Sequence, residues 1–198
     1  MARGPSTVRR RILDAAVRLF AAHGFDGASV QGIVAEADVT KGALYHYFGS
    51  KEDLLYEIYR ALIARQLADL DRALAAGAPP GETVRTVLTE LILSTAAHID
   101  EAKVFTREMH RLDTARMHAV RADRRRYHRT FRGLVESGQR TGEFSAATPA
   151  ETVTIVALGM VNQMTSWYRA DGPKTAAELA AEVTGFVLAA LRPGAGAP

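Results

Sequence analysis

Apolar residues recur at helical spacing along almost the whole chain, and each recurrence is bracketed by residues that start or stop helices. In residues 7–23, Ile12, Ala15, Ala16, Leu19 and Phe20 fall on one face of a 3.6-residue period. Gly24 follows and suits a left-handed C-terminal cap. Ser29 is placed to cap a short helix through residue 37. After a turn at Asp38 and Val39, Thr40 is placed to cap a second one over Lys41–Tyr47. Ser50 with Asp53 resembles a capping box and opens a long helix over residues 51–76, with Leu54, Leu55, Ile58, Leu62, Leu67 and Leu70 inward. Residues 77–81, Gly-Ala-Pro-Pro-Gly, are a break. Helical periodicity resumes over residues 82–100, 101–111 and 115–140. Thr148, Pro149 and Glu151 carry the signature of a helix start for a segment reaching residue 168. Thr175 and Glu178 form a capping box for a last helix to residue 191. An all-α fold of about nine helices is predicted, with no convincing strand. The Gly-, Ala- and Pro-rich residues 193–198 read as a disordered tail.

Composition narrows the function classes. The 198 residues are 47% hydrophobic and 24% charged, enough apolar content for a substantial core. The absence of cysteine excludes a disulfide scaffold, Cys-ligated zinc, iron–sulfur clusters and thiol catalysis. No apolar run approaches the ~18 residues of a membrane helix, and no signal peptide is visible. A soluble, cytoplasmic protein without a membrane partner is expected.

The net charge of +3 is unevenly distributed. Arg3, Arg9, Arg10, Arg11, Arg18, Lys41 and Lys51 outnumber Asp14, Asp26, Glu36 and Asp38 in the first 51 residues, which hold the whole surplus. The remainder is neutral but contains a second basic zone. Residues 107–132 have nine Arg and three acids. The first zone coincides with two short helices joined by a three-residue turn and preceded by a longer helix, the layout of a helix-turn-helix. The second short helix has too few apolar residues for a core element. Leu44 and Phe48 anchor it, while Lys41, Tyr45, His46 and Tyr47 are displayed. Gly42 and Ala43 are small enough for close approach to a groove wall. Its N-terminal N–H groups and the cations suit phosphate, and the tyrosines suit phosphate and thymine methyls.

Residues 12–20 (ILDAAVRLF), Gly24-Phe25, Ser29-Val30, residues 33–37 (IVAEA), residues 39–48 (VTKGALYHYF) and residues 51–54 (KEDL) together resemble the TetR family of transcriptional regulators. The chain departs from that family's pattern with Asp38 where Gly is usual in the turn, and Val34 where Ala is common. Asp tolerates the left-handed conformation better than most residues. The resemblance implies a DNA-binding domain at residues 1–50 and a ligand-binding and dimerisation domain at 51–192. It implies a homodimer reading a palindromic operator in double-stranded DNA. The DNA-contacting candidates are Arg3, Arg9, Arg10, Ser29, Gln31, Thr40, Lys41, Gly42, Ala43, Tyr45, His46, Tyr47 and Lys51.

In the body, the last two predicted helices carry broad apolar faces, and the family pairs two such helices from each subunit. Val153, Val156, Met160, Leu179, Val183, Phe186, Val187 and Ala190 are the interface candidates, with Ala157, Gly159, Gly185 and Ala189 letting axes approach. Both stripes could instead face the chain's own core. Residues 164–173 (MTSWYRADGP) followed by the last helix resemble a subgroup that responds to acyl-CoA thioesters. In that reading, arginines of residues 121–132, Arg124 among them, meet CoA phosphates. Phe105, Met109, Met117, Tyr127, Phe131, Met160, Met164 and Trp167 would line an acyl tunnel as inward residues. A different apolar or aromatic effector, or no effector at all, remains open. Arg outnumbers Lys 21 to 4, so an Arg-rich solvated face also follows from composition.

Other chemistry finds little support. His23, His46, His98, His110, His118 and His128 show no metal-ligand spacing, so no metal and no cofactor are expected. There is no phosphate-binding Gly-rich loop and no nucleophile elbow. An enzyme or carrier of CoA esters would leave the exposed helix Lys41–Tyr47 unexplained. A ligand-responsive regulator is expected, with a DNA-bound scaffold lacking an effector as the alternative.

Overall fold

The structure, a computed structural model, describes residues 5–193, with side chains from residue 7 onward. All regular structure among the described residues is helical, as the periodicity predicts. In chain order the helices are α1 (Pro5–Gly27), α2 (Val30–Glu36), α3 (Lys41–Tyr47), α4 (Lys51–Ala75), α5 (Pro80–Ala97) and α6 (Ile99–Glu108). A 3-10 turn (Met109–Arg111) leads to α7 (Thr114–Arg140), α8 (Ala150–Asn162), α9 (Met164–Trp167) and α10 (Ala176–Ala190).

The described residues pack as two compact units, one within 5–63 and 98–119, the other within 64–97 and 120–193. These boundaries follow packing and differ from the division at residue 50 read from the sequence. In the first unit α1 packs on α2, α3 and α6. Of the stripe expected on α1, Ile12, Ala15, Ala16 and Phe20 are buried there with Ile33, Leu44, Phe48, Leu54 and Ile58, and Leu19 is half-buried. Removing a ring such as Phe20 to Ala leaves transfer and cavity terms of about 3–5 kcal/mol together. The helix of α1 is interrupted at Gly24 (φ 72°, ψ 172°), a conformation that favours glycine.

In the second unit α5 packs on α10 and α8. Val84, Val87, Leu88 and Ile92 of α5 are buried in the same unit as Leu179, Ala180 and Val187 of α10. Thr89 Oγ1 and Thr184 Oγ1 lie 3.5 Å apart. Where α7 ends, the Phe144 ring lies where a Cβ on Gly138 would have to go, so only glycine permits this return of the chain.

Two expectations about the helix after residue 148 are corrected. Thr148 is not its cap; Pro149 occupies that position without a side-chain bond, and the Thr148 carbonyl instead accepts from Gln139 Nε2 at 2.8 Å. Nor does one helix run to residue 168. The Gln163 carbonyl accepts from the Ser166 amide at 3.0 Å, a tighter turn that separates α8 from α9. The Ser166 hydroxyl donates to the same carbonyl at 2.7 Å, a side-chain bond that competes with helix continuation.

Candidate nucleic-acid interface

Helices α2 and α3 are short, and each is started by a hydroxyl. Ser29 Oγ accepts from the Gly32 amide at 2.9 Å and Thr40 Oγ1 from the Ala43 amide at 3.1 Å. Capping uses only the acceptor side of each hydroxyl, so both retain an O–H to donate to phosphate. Between the helices, Asp38 adopts φ 49°, and Arg11 donates to its carbonyl at 2.8 Å and to its carboxylate at 2.9 Å. That guanidinium holds together a turn most residues would strain. Leu44 and Phe48 are buried, as expected, and pin α3 by one side. The other side shows Lys41, Gly42, His46 and Tyr45, whose exposure is 47%. Lys41 Nζ lies 5.8 Å from the Tyr45 ring centre, and His46 meets Tyr47 edge-on at 4.9 Å. Gln31 is exposed on α2, while Ala43 and Tyr47 are half-buried. Beside this surface, Arg11, Asp14, Arg18, Glu36 and Ala37 line a cleft of about 200 Å³, crossed by an Arg18–Glu36 pair at 2.8 Å.

The basic residues divide into two groups. Arg10 is exposed, whereas Arg9 pairs with Glu57 and lies 5.3 Å from the centre of the Phe48 ring. Lys51, expected among the DNA-contacting cations, is instead turned inward. Its ammonium donates to the carbonyls of Phe25 at 2.6 Å and Ala28 at 3.0 Å, and stands 4.2 Å from the Phe25 ring centre. Two backbone acceptors and a ring face outcompete solvent for it. Arg3 lies outside the described residues.

The effector candidates are shared between the two units. Phe105, stacked on Tyr59 at 4.4 Å, belongs to the first unit with the half-buried Met109 and Met117. Tyr127, Phe131, Met160, Met164, Trp167 and Arg124 belong to the second. Tyr127, Phe131 and Met164 are buried, but Trp167, expected inward, is 50% exposed at the end of α9. Burial, then the charges of Asp69 and Glu90, push the Tyr127 phenol well above the usual tyrosine range, so it stays a neutral donor. Along α7, Arg121, Arg125 and Arg129 share one exposed stripe. Arg126 is engaged by Asp71, and Arg132 by Glu136 and Glu151.

The proposed dimer face also divides. Val153, Leu179 and Val187 are buried within the second unit, a correction that makes them core residues. Met160 and Val183 are half-buried. Phe186, Ile155 and Val156 are 64%, 57% and 50% exposed, and Ala190 is exposed with them. A Cβ added at Gly159 or Gly185 would meet open space.

Residues 12–58 match the family of bacterial regulatory proteins of the tetR type, and residues 77–191 match the tetracyclin repressor-like C-terminal domain. The chain belongs to the TetR family. It is 29% identical over 161 residues to the transcriptional repressor SCO4008 of Streptomyces coelicolor, covering 81% of this chain and 80% of that protein. The repressor KstR2 of Rhodococcus jostii is 25% identical, with 93% of this chain and 91% of KstR2 covered. The Mycobacterium tuberculosis KstR2 structure shares the fold with TM-score 0.85 at 22% identity, over 93% of this chain and 95% of that one. AibR, solved with isovaleryl coenzyme A and operator DNA, superposes with TM-score 0.79 at 25% identity, over 91% of this chain and 97% of its own.

As a TetR-family member this protein is a DNA-binding transcriptional regulator, and its matched families and relatives are regulators rather than enzymes. Regulators of the family bind operator DNA and small-molecule effectors and form dimers. Among the described residues no helix is long and apolar enough to cross a membrane, and no His and carboxylate cluster has the make-up of a metal site. Sequence reasoning missed Arg11, Glu108, Arg111 and Ile155. Only Ile155 carried a local signal, as an apolar neighbour of Val156 on α8.

Proposed function

We propose that the protein is a homodimeric repressor that inserts α3 of each subunit into successive major grooves of a palindromic operator and is released by a small-molecule effector. The observation that carries the reading is the chemistry of α3. One small helix is pinned by Leu44 and Phe48 and spends Lys41, Tyr45 and His46 on the outside. A solvated face rarely gathers such residues without a partner. Gly42, Ala43, Tyr47, Ser29, Gln31, Thr40 and Arg10 complete the contact surface, with Arg9 and Arg3 nearby in sequence. Functionally, residues 1–50 read DNA and 51–192 bind effector and partner subunit. The regulator acts in the cytoplasm, where its operator is.

Pairing of the outer faces of α8 and α10 supplies the two-fold symmetry a palindrome needs. Phe186, Val156, Ile155 and Ala190 would be covered, and Gly159 and Gly185 would allow close approach. An effector acts only through its different affinities for the DNA-bound and released states. Displacement of α4, which follows α3 directly, would alter the half-site separation.

The effector we favour is an acyl-CoA thioester. AibR was solved with isovaleryl coenzyme A, and the Arg121, Arg125 and Arg129 stripe offers forked donors to phosphates. A phosphate-free apolar effector is the second reading, favoured by the ion pairs that already occupy Arg126 and Arg132. Gel-shift titration tests the reading head: Tyr45→Ala and Lys41→Ala should each weaken operator binding, and unchanged affinity in both would refute it. Acyl-CoA should release the operator while the free acid does not. Equal release by both would discard the phosphate contacts.

A further inference from the structure

The corner between α1 and α2 begins with the last four residues of α1, Gly24 to Gly27, beyond its interruption, which lead into the buried Ala28 and the α2 cap Ser29. It is held by side chains that arrive from two distant stretches of sequence. Glu108, the last residue of α6, accepts the Phe25 amide at 3.2 Å. Arg111, in the 3-10 turn, grips Asp26 with both terminal nitrogens, one of them at 2.9 Å, and lies 5.6 Å from the Phe25 ring centre. From the start of α4, Lys51 takes the carbonyls of Phe25 and Ala28. Three charged groups thus address the corner: Glu108 takes the Phe25 amide, Lys51 takes two carbonyls and a face of the Phe25 ring, and Arg111 takes the Asp26 carboxylate, the same ring and, at 3.7 Å, the Glu108 carboxylate. Gly24 supplies the positive φ at which the backbone turns here, a conformation that strains other side chains.

Such an arrangement is more than surface charge. A backbone amide bonded to a carboxylate and carbonyls bonded to an ammonium are stronger than neutral pairs. They bind the corner to the end of α6, to the 3-10 turn after it and to the start of α4. The angle at which α2 leaves α1, and with it the pose of α3, depends on this corner, because α2 packs on both α1 and α3.

We propose that Glu108 and Arg111 are positioning residues of the DNA-reading head: they touch no DNA, and they set its operator affinity by holding the α1–α2 corner. The segment 98–119 is then a working part of the reading head, in keeping with its membership of the same compact unit. The inference rests on the assignment of α3 as the reading helix.

The test begins with selection of a duplex from random DNA by the full wild-type chain. Fluorescence anisotropy then measures Kd on that duplex and on an unrelated one, across a salt series. Glu108→Ala and Arg111→Asp should weaken the selected duplex about tenfold. Binding to the unrelated duplex should change less, and the salt slope should stay the same because no phosphate contact is lost. Glu108→Gln keeps an oxygen acceptor and should recover most of the loss. Asp26→Arg with Arg111→Asp restores an opposite-charge pair and should recover part of what Arg111→Asp loses, the rest being the pair of Arg111 with Glu108. Should Arg111→Asp fail to fold, judged by its thermal midpoint, the comparison of Glu108→Gln with Glu108→Ala decides alone. Unchanged affinity in the Glu108 and Arg111 variants overturns the proposal. So does a salt slope that falls by about 0.9 with Arg111, the mark of a direct phosphate contact. A wild-type chain that enriches no duplex overturns the assignment of α3 itself, and the proposal with it.

Discussion

Asp38 occupies the one left-handed position that a non-glycine residue takes among the described residues, and it does so at the turn that aims α3. Aspartate reaches that conformation at lower cost than most residues, and Arg11 bonds both its carbonyl and its carboxylate. Asp38→Gly should therefore leave the urea midpoint nearly unchanged. Asp38→Val should cost about 1–3 kcal/mol, because a β-branched side chain is strained at positive φ. An unaltered midpoint in the valine variant would show that the turn carries no such strain. Lys51 illustrates a different point. Its type and position suggest a phosphate contact, yet its ammonium is committed to the corner after α1. Lys51→Gln is expected to lower the thermal midpoint while leaving the salt slope of DNA binding as it was.

Among the elements, α10 shows how local signals survive folding. The Glu178 amide donates to Thr175 Oγ1 at 3.2 Å, and the Thr175 amide donates back to the Glu178 carboxylate at 2.8 Å. Thr175→Ala should cost about 1 kcal/mol in chemical denaturation. The bonds from the Thr175 backbone and hydroxyl hold the Glu178 carboxyl below the usual glutamate range. A depressed folded-state value means that this contribution is complete above the unfolded value and is lost as pH falls through the folded one. Thermal midpoints of wild type and Glu178→Gln should accordingly converge in acid; a gap that persists there would contradict the assignment. The capping box was readable because both partners lie within three residues. The α8–α9 break was not: Thr148 and Pro149 carry the residue types of a helix start, and the division at Gln163 falls within an unbroken helical pattern.

For the whole molecule, the decisive quantity is what remains uncovered on α8 and α10. Phe186, Ile155 and Val156 are all at least half exposed. In the proposed dimer their burial between two subunits, at about 25 cal/mol per Å² of apolar area, would supply the association that operator symmetry needs. Sedimentation should find wild type dimeric and Phe186→Glu monomeric, with operator binding weakened in parallel. A dimeric Phe186→Glu would move the interface elsewhere. An effector that binds the folded protein should raise the thermal midpoint, by about 2.7 kcal/mol of stability at a concentration of 100 Kd.

The amino-acid sequence by itself determined the all-helical class, most helix boundaries, the left-handed turn at Asp38 and the outward chemistry of α3. Each of these depends on residues within about four positions of one another, the range over which caps, turns and helical faces are set. Only the tertiary structure decided which charges are spent inside the molecule. Arg111 reaches Asp26 and Glu108 reaches Phe25 across more than eighty residues, and no local pattern marks a partner that distant. The same holds for the apolar stripes of α8 and α10. Periodicity identifies a buried face, but packing against α5 chose Val153, Leu179 and Val187 for the core and left Phe186, Ile155 and Val156 outside.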